Sequence, residues 1–312
     1  MGAAIYGRTE ELPPTPIEEA GSGRFLRVPY RRIPVIDVHS VSDLIDIAAR
    51  VWSANADVRG VWRGQARHYN LQRTDDDKLR LYGSVAIEEP SLLPSASRNA
   101  VYFPDLFLTW AGLLDLYIEE RANGFAAIDS TRRSEVLYQS RNFRAGYNYR
   151  LWGFATAQHY GVPSVGLDVT SDIRVALFFA LHRFTTDKAT GVMSMERASE
   201  ADSPIIYGMG GFQYDLFDDA KLTHDWLLCE RPKAQSAMFF GTGWEESKNK
   251  AADRIYVALR LVGHTSWASP LTGREIFPGV TDDPFLDFLL KARAKYDSPL
   301  VRDILSYIYF VP

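Results

Sequence analysis

Two stretches of the chain concentrate residue types that do chemistry. In Val61-Trp62-Arg63-Gly64-Gln65 an arginine stands where an apolar run ends. A guanidinium projecting from a strand end can clamp a phosphate or carboxylate through two parallel hydrogen bonds. The neighbouring glycine would let a ligand approach the backbone. A surface ion pair is the plainer use of such an arginine, and this run alone leaves both open. The second stretch, Ala157-Gln158-His159-Tyr160-Gly161-Val162-Pro163, leads into Gly166-Leu167-Asp168-Val169-Thr170-Ser171 and then into the most apolar helix of the sequence. A carboxylate buried there needs a partner, because taking it out of water unpaired costs several kcal/mol. His159, Arg63 or backbone N–H groups could serve Asp168. Thr170 and Ser171 equally suit helix capping, and His159 equally suits a satisfied core histidine. Each plain reading holds singly; together the residues predict a site.

Other chemistries lack their residues. There is no GxxxxGK[ST], HExxH or GxSxG run, and the six histidines show no close metal-ligand pairing, so no metal is expected. Gly208-Met209-Gly210-Gly211 lacks the further glycine of a phosphate loop and reads as a turn. Cys229 is the one cysteine, which rules out an internal disulfide and a cysteine-built zinc site. The formal charge of −4 advertises no polyanionic partner for the molecule as a whole, although a basic groove can sit on an acidic protein. No apolar run approaches the ~18 residues of a membrane span, and the N-terminal stretch, with Glu10, Glu11, Glu18 and Glu19, lacks the apolar core of a secretory signal. A cytoplasmic protein with no membrane partner is the expectation.

The elements that must position these residues follow from periodicity. Residues 1–32, rich in Pro, Glu and Gly over Glu11–Gly23, read as a flexible tail, and 33–312 as one domain. Helices are predicted over Val41–Trp52, Asp105–Arg121, Thr131–His159, Val175–Leu181, Asp283–Lys295 and Ser298–Tyr309. Strands are predicted over Ile33–Val38, Val58–Arg63, Ser164–Val169, Ser203–Tyr207, Ala237–Phe240 and Arg254–Leu261. Leu71–Glu89, with Asp75, Asp76 and Asp77, reads as a solvated loop. Short strands among several helices make the fold class α+β.

These residues also carry a resemblance. Trp62-Arg63-Gly64-Gln65 resembles the aromatic-Arg-Gly-Gln motif of the FRG domain family. Ser91-Leu92-Leu93-Pro94-Ser95 with Arg98 is similar to the family's "LLPS…R" element. Ala157–Pro163, Leu167–Ser171 and Ala176–Leu181 resemble its central stretch. Arg231-Pro232-Lys233-Ala234-Gln235 resembles a later strand, and Ile276-Phe277-Pro278-Gly279 a closing turn. The likeness runs from about Val41 to Leu290. Val165, Val169 and Ala237 depart from it, standing for arginine, tryptophan and glycine.

More distantly the arrangement is similar to ADP-ribosyltransferases of the Arg–Ser–Glu type, which implies a small split mixed β-sheet surrounded by helices and NAD as substrate. On that likeness His159, Asp168 and Gln235 are the catalytic candidates. Arg63, Gly64, Gln65, Arg98, Tyr160, Thr170, Ser171 and Arg231 are the NAD-binding ones. Gln235 stands where those enzymes carry glutamate, and an amide supplies no negative charge to a developing cation. Glu230 is five positions earlier, so on a strand it faces away from Gln235. The implied function is a mono-ADP-ribosyltransferase, an intracellular effector or toxin in a toxin–antitoxin or phage-defence setting. Its acceptor would be protein or nucleic acid, and an antitoxin-like protein could be a further partner. An NAD glycohydrolase, a non-catalytic nucleotide- or nucleic-acid-binding module, and a structural scaffold are the alternatives.

Overall fold

Short β-branched and aromatic runs build the sheet that carries the candidate residues. The computed structural model describes residues 24–29, 31–53, 59–98, 103–128, 131–211, 216–241 and 249–312. Along the chain come β1 (Arg24–Val28), β2 (Arg31–Val38), α1 (Val41–Ser53), β3 (Arg59–Gln65), α2 (Asp75–Tyr82), α3 (Ser95–Arg98) and α4 (Phe103–Ile128). They are followed by α5 (Arg133–Ala145), α6 (Tyr147–His159), β4 (Leu167–Thr170), α7 (Ile173–Leu181), β5 (His182–Thr186), β6 (Met193–Arg197), β7 (Ile205–Gly211) and β8 (Leu216–Asp218). The last elements are α8 (Glu230–Ala234), β9 (Ala237–Phe240), β10 (Ile255–Leu261), α9 (Gly273–Ile276), α10 (Pro284–Lys295) and α11 (Pro299–Leu305).

Eight described strands form one sheet in the order β1-β2-β10-β7-β3-β4-β9-β8. Neighbours run antiparallel except β2 and β10, which are parallel. β5 and β6 make a separate hairpin. The fold is α+β, as the sequence predicts. One face of the sheet packs Trp62, Ile206, Val257 and Leu259 against α1 and α7, and the other gathers Val61, Leu167, Val169, Tyr207 and Met238. A helical layer, with Trp110 and Tyr117 of α4, Trp152 of α6 and Phe285 and Leu289 of α10, holds a further core. No helix among the described residues is long and apolar enough to cross a membrane.

The sequence reading needs correction in several places. Leu71–Glu89 contains α2, capped by the Thr74 hydroxyl on the Asp77 N–H and closed by Gly83 in the left-handed region. Its three aspartates occupy the first turn, where negative charge suits the exposed N–H groups. No residue of that helix is buried, so it carries no amphipathic signal to read. The helix expected over Thr131–His159 is broken at Gly146 into α5 and α6, and the last helix stops at Leu305. Gly208–Gly211 is strand, not turn: β7 runs through it, with Trp62 and Val257 packed over the space a Gly208 side chain would need. Of the expected tail, residues 1–23 lie outside the described residues, while Arg24–Val28 pairs with β2, Leu26 opposite Ile33.

Gly64 has a packing task besides the one expected. A Cβ there would stand 1.8 Å from the Ala176 carbonyl oxygen and 2.9 Å from the Ala180 nitrogen. What Gly64 admits most closely is therefore the backbone of α7. Gly64→Ala must push α7 off the sheet, and its expected cost is about 3 kcal/mol. Urea unfolding followed by circular dichroism measures this, and an unchanged midpoint would mean that α7 does not sit as described.

Candidate functional site

His159 reaches its place because α6 stops there. Gly161, at φ +96°, closes the helix, with the Val162 N–H on the Ala157 carbonyl at 2.8 Å and the Gly161 N–H on the Gln158 carbonyl at 3.2 Å. The chain then turns into β4. Alternation along this strand sends Leu167 and Val169 into the core and Asp168 and Thr170 to the face shared with α7. β4 lies beside β3, so Arg63 arrives from the neighbouring strand and donates to the Asp168 backbone carbonyl. Gln235 caps α8, a single turn and not the expected strand, which removes the alternation argument against Glu230. The Thr170 hydroxyl donates to the Gln235 carbonyl at 2.8 Å and ties the two segments together.

Arg63, His159, Asp168, Thr170 and Gln235 line one recess of about 150 Å³, walled by Val175, Ala176 and Phe179. Arg63, Gly64 and Phe179 are shared with an open outer cleft of about 660 Å³. That cleft is lined further by Gln65, Arg67, Tyr69, Arg98, His182, Arg183, Phe184 and Glu196. The four side chains that the sequence places far apart thus meet.

A buried charge network forms the floor. The Gln235 amide nitrogen donates to the Ile276 carbonyl at 3.2 Å, which turns its oxygen toward His159 Nδ1 at 3.0 Å. That oxygen can only accept, so Nδ1 carries a proton. His159 Nε2 lies 2.6 Å from Asp219 Oδ2 and 3.7 Å from Asp168 Oδ1. Burial alone would lower the imidazole's pKa. The Asp168 charge and the hydrogen bond and charge of Asp219 outweigh it and raise the pKa to about 9. His159 is therefore an imidazolium at neutral pH. Burial pushes the Asp168 carboxyl up, against the His159 and Arg63 charges. Its side chain opens into the recess, 36% accessible against 1% for His159, and its Oδ1 has no hydrogen-bond partner. Burial also lowers Arg63 to about 10, with Arg98 adding repulsion and Asp168 opposing, and Arg63 Nε makes no hydrogen bond.

A raised histidine pKa ties stability to pH. The imidazolium's contribution is complete below its ordinary value of 6.5 and is lost as pH rises through about 9. The loss is on the order of 3 kcal/mol. Melting temperatures taken from pH 6 to 10 should fall across this window, and His159→Gln should flatten the fall. A flat wild-type profile would contradict the imidazolium.

Three expected ligand-binding residues do not reach the cavity. Arg231 is fully buried behind His159, donating to the His159 and Tyr309 carbonyls at 3.2 and 2.7 Å and stacked between the Tyr160 and Tyr309 rings. Tyr160 is buried with its hydroxyl on Asp283 at 2.5 Å. Ser171 lies exposed, its hydroxyl 3.3 Å from the Ser236 carbonyl, and the cap of α7 is Asp172. Asp219, in the turn after β8, was not foreseen. Only an Asp218-Asp219 pair after two apolar residues hinted at it.

The fold and site define an α+β protein whose recess, lined by Arg63, His159 and Asp168, adjoins an arginine-lined outer cleft. The family model of the FRG domain matches residues 85–189, so this part of the chain is similar to the FRG domain. The match takes in α3 to α7 with Arg98, His159, Asp168 and Thr170; Arg63, Asp219 and Gln235 lie outside it. No curated protein and no solved structure matches the chain.

Proposed function

We propose that the protein cleaves the nicotinamide–ribose bond of NAD and transfers ADP-ribose to an acceptor. The observation that carries this reading is that one cavity brings a carboxylate together with arginines. In the recess the Asp168 carboxylate stands beside Arg63 and the His159 imidazolium, with Asp219 behind the imidazole. At the mouth stand Arg63 and Arg98, which make no ion pair with a carboxylate side chain among the described residues. NAD has the complementary order, a cationic pyridinium ribose followed by a doubly negative pyrophosphate. The recess can take a flat ring against Phe179 and Val175, and the outer cleft falls within the usual range of ligand sites.

In this reading Arg63 and Arg98 hold the pyrophosphate through charge-assisted hydrogen bonds. The ring–ribose bond breaks with its electron pair going to the ring nitrogen, which neutralises the pyridinium. Positive charge then spreads over the ribose C1′ and ring oxygen, and the Asp168 carboxylate stabilises it. The acceptor oxygen or nitrogen bonds C1′ and releases a proton to solvent or to Asp168. His159, pinned by Asp219 and Gln235, keeps the Asp168 carboxylate in place without reorganisation, which makes an electrostatic contribution effective. Asp168 thereby supplies the carboxylate that Gln235 lacks. Protein, nucleic acid and water are the acceptor classes to be tried.

The test is nicotinamide release from NAD by purified protein, alone and with protein, RNA or DNA added. Release that drops at least tenfold in Arg63→Ala, with the melting temperature kept, is the expected outcome. The amide at position 235 favours a second reading, a nucleotide-binding module without turnover. ADP-ribose binding with no release under any condition would establish that one.

A further inference from the structure

The outer cleft contains a second pair of arginines, built differently from the first. Arg67, directly beyond β3, bonds Asp202 through Nε. Its terminal N–H groups make no hydrogen bond among the described residues, and its side chain is 48% accessible. Arg183, on β5 across the cleft, brings its own Nε to 3.9 Å from the other Asp202 oxygen, and that Nε has no hydrogen-bond partner. Asp202 is buried and anchored further by the Ser199 N–H and hydroxyl, each at 2.8 Å. One buried carboxylate therefore gathers two guanidiniums at the cleft wall, an expensive arrangement for a surface that only needs to be soluble. Glu196 also touches Arg183, at 3.1 Å, but its side chain is 67% accessible. Exposed pairs of this kind exchange readily with water and competing anions.

The two arginine pairs occupy different depths. Arg63 borders the recess, and Arg98 is close enough to feel both Arg63 and Asp168. Arg67 lies four residues farther along the chain than Arg63, and it and Arg183 line only the outer cleft. From the recess outward the cavity presents the Asp168 carboxylate, then Arg63 with Arg98, then Arg67 with Arg183. A pyrophosphate uses the first pair and leaves the second for another anion.

Building on the reading above, we propose that Arg67 and Arg183, held by Asp202, bind a third phosphate on the adenosine side of the dinucleotide. The preferred substrate is then the 2′-phosphorylated dinucleotide NADP over NAD. Such a monoester carries close to two negative charges at neutral pH and offers three oxygens to the two guanidinium forks. Asp202 is a positioning residue here: it touches no ligand and aims the two arginines.

Calorimetric titration with ADP-ribose and with 2′-phospho-ADP-ribose tests this without turnover. The wild type should bind the phosphorylated compound at least tenfold more tightly, with a ratio that shrinks as salt rises. Arg67→Ala and Arg183→Ala should each bring the ratio toward one, as should Asp202→Asn. Equal binding of the two compounds by the wild type would overturn the third-phosphate site and leave the NAD reading standing. A preference that survives both arginine substitutions would overturn the residue assignment. Failure of both compounds to bind would overturn the dinucleotide reading and this inference with it.

Discussion

Asp168→Asn is expected to lower nicotinamide release by roughly two to three orders of magnitude, the usual scale for removing one preorganised charge-stabilising group. Binding of ADP-ribose should change only a few-fold, because Arg63 and Arg98, the groups proposed to meet phosphate, line the outer cleft and are untouched. The asparagine keeps the size of the side chain and a hydrogen-bonding oxygen. What disappears is the carboxylate charge at the recess that Asp168 lines. Steady-state kinetics should therefore show a collapse in kcat with KM nearly unchanged, the signature of an interaction made mainly in the transition state. If instead KM rises and kcat holds, Asp168 binds substrate and the cation is stabilised elsewhere.

The largest effect on stability is expected from Asp219→Ala. This carboxylate makes the shortest contact to the buried imidazolium, 2.6 Å, and is itself almost wholly inaccessible. Removing one partner of a buried pair leaves a charge without compensation and costs about 3–5 kcal/mol. Asp168 cannot take over, since at 3.7 Å it lies beyond hydrogen-bond range of Nε2. The histidine should respond by losing its proton more easily, so its pKa should drop from about 9. Two measurements check this: urea unfolding of the variant, and the His159 ring resonances followed against pH. Wild-type stability together with an unmoved imidazole titration would show that Asp219 does not hold the histidine.

Much of this architecture is legible from residue pattern, and the failures have physical causes. β9 was read with its observed limits because Ala237–Phe240 is an uninterrupted apolar run, the mark of a fully buried strand. α7 was similarly plain, since a helix apolar on all sides has little choice but the core. α2 escaped because it buries nothing. The segment around Arg231 was misread because a fully buried cation looks like a ligand-binding one until its partners are known. Here they are two backbone carbonyls and two tyrosine rings. Gly64 lines both cavities beside Arg63, and its close approach to the α7 backbone has no mark in the local sequence.

The meeting of Arg63, His159, Asp168 and Gln235 was anticipated from motifs, and the recess brings them together. Asp219 was invisible for the opposite reason. Its role exists only because β8 pairs with β9 and carries the following turn beneath His159. No local spacing records that contact, which joins residues 60 positions apart. β4 brings the Asp168 carboxylate to the recess that Gln235 also lines, and the amide oxygen at 235 faces the histidine.

A crystal structure of Asp168→Asn soaked with NAD addresses the central claim most directly. The substitution should leave the dinucleotide intact long enough to be seen. The account predicts the nicotinamide ring in the recess beside position 168, with the pyrophosphate oxygens on the Arg63 and Arg98 guanidiniums. A pyrophosphate bound away from Arg63, or a recess that admits no ring while the dinucleotide binds elsewhere, would contradict it.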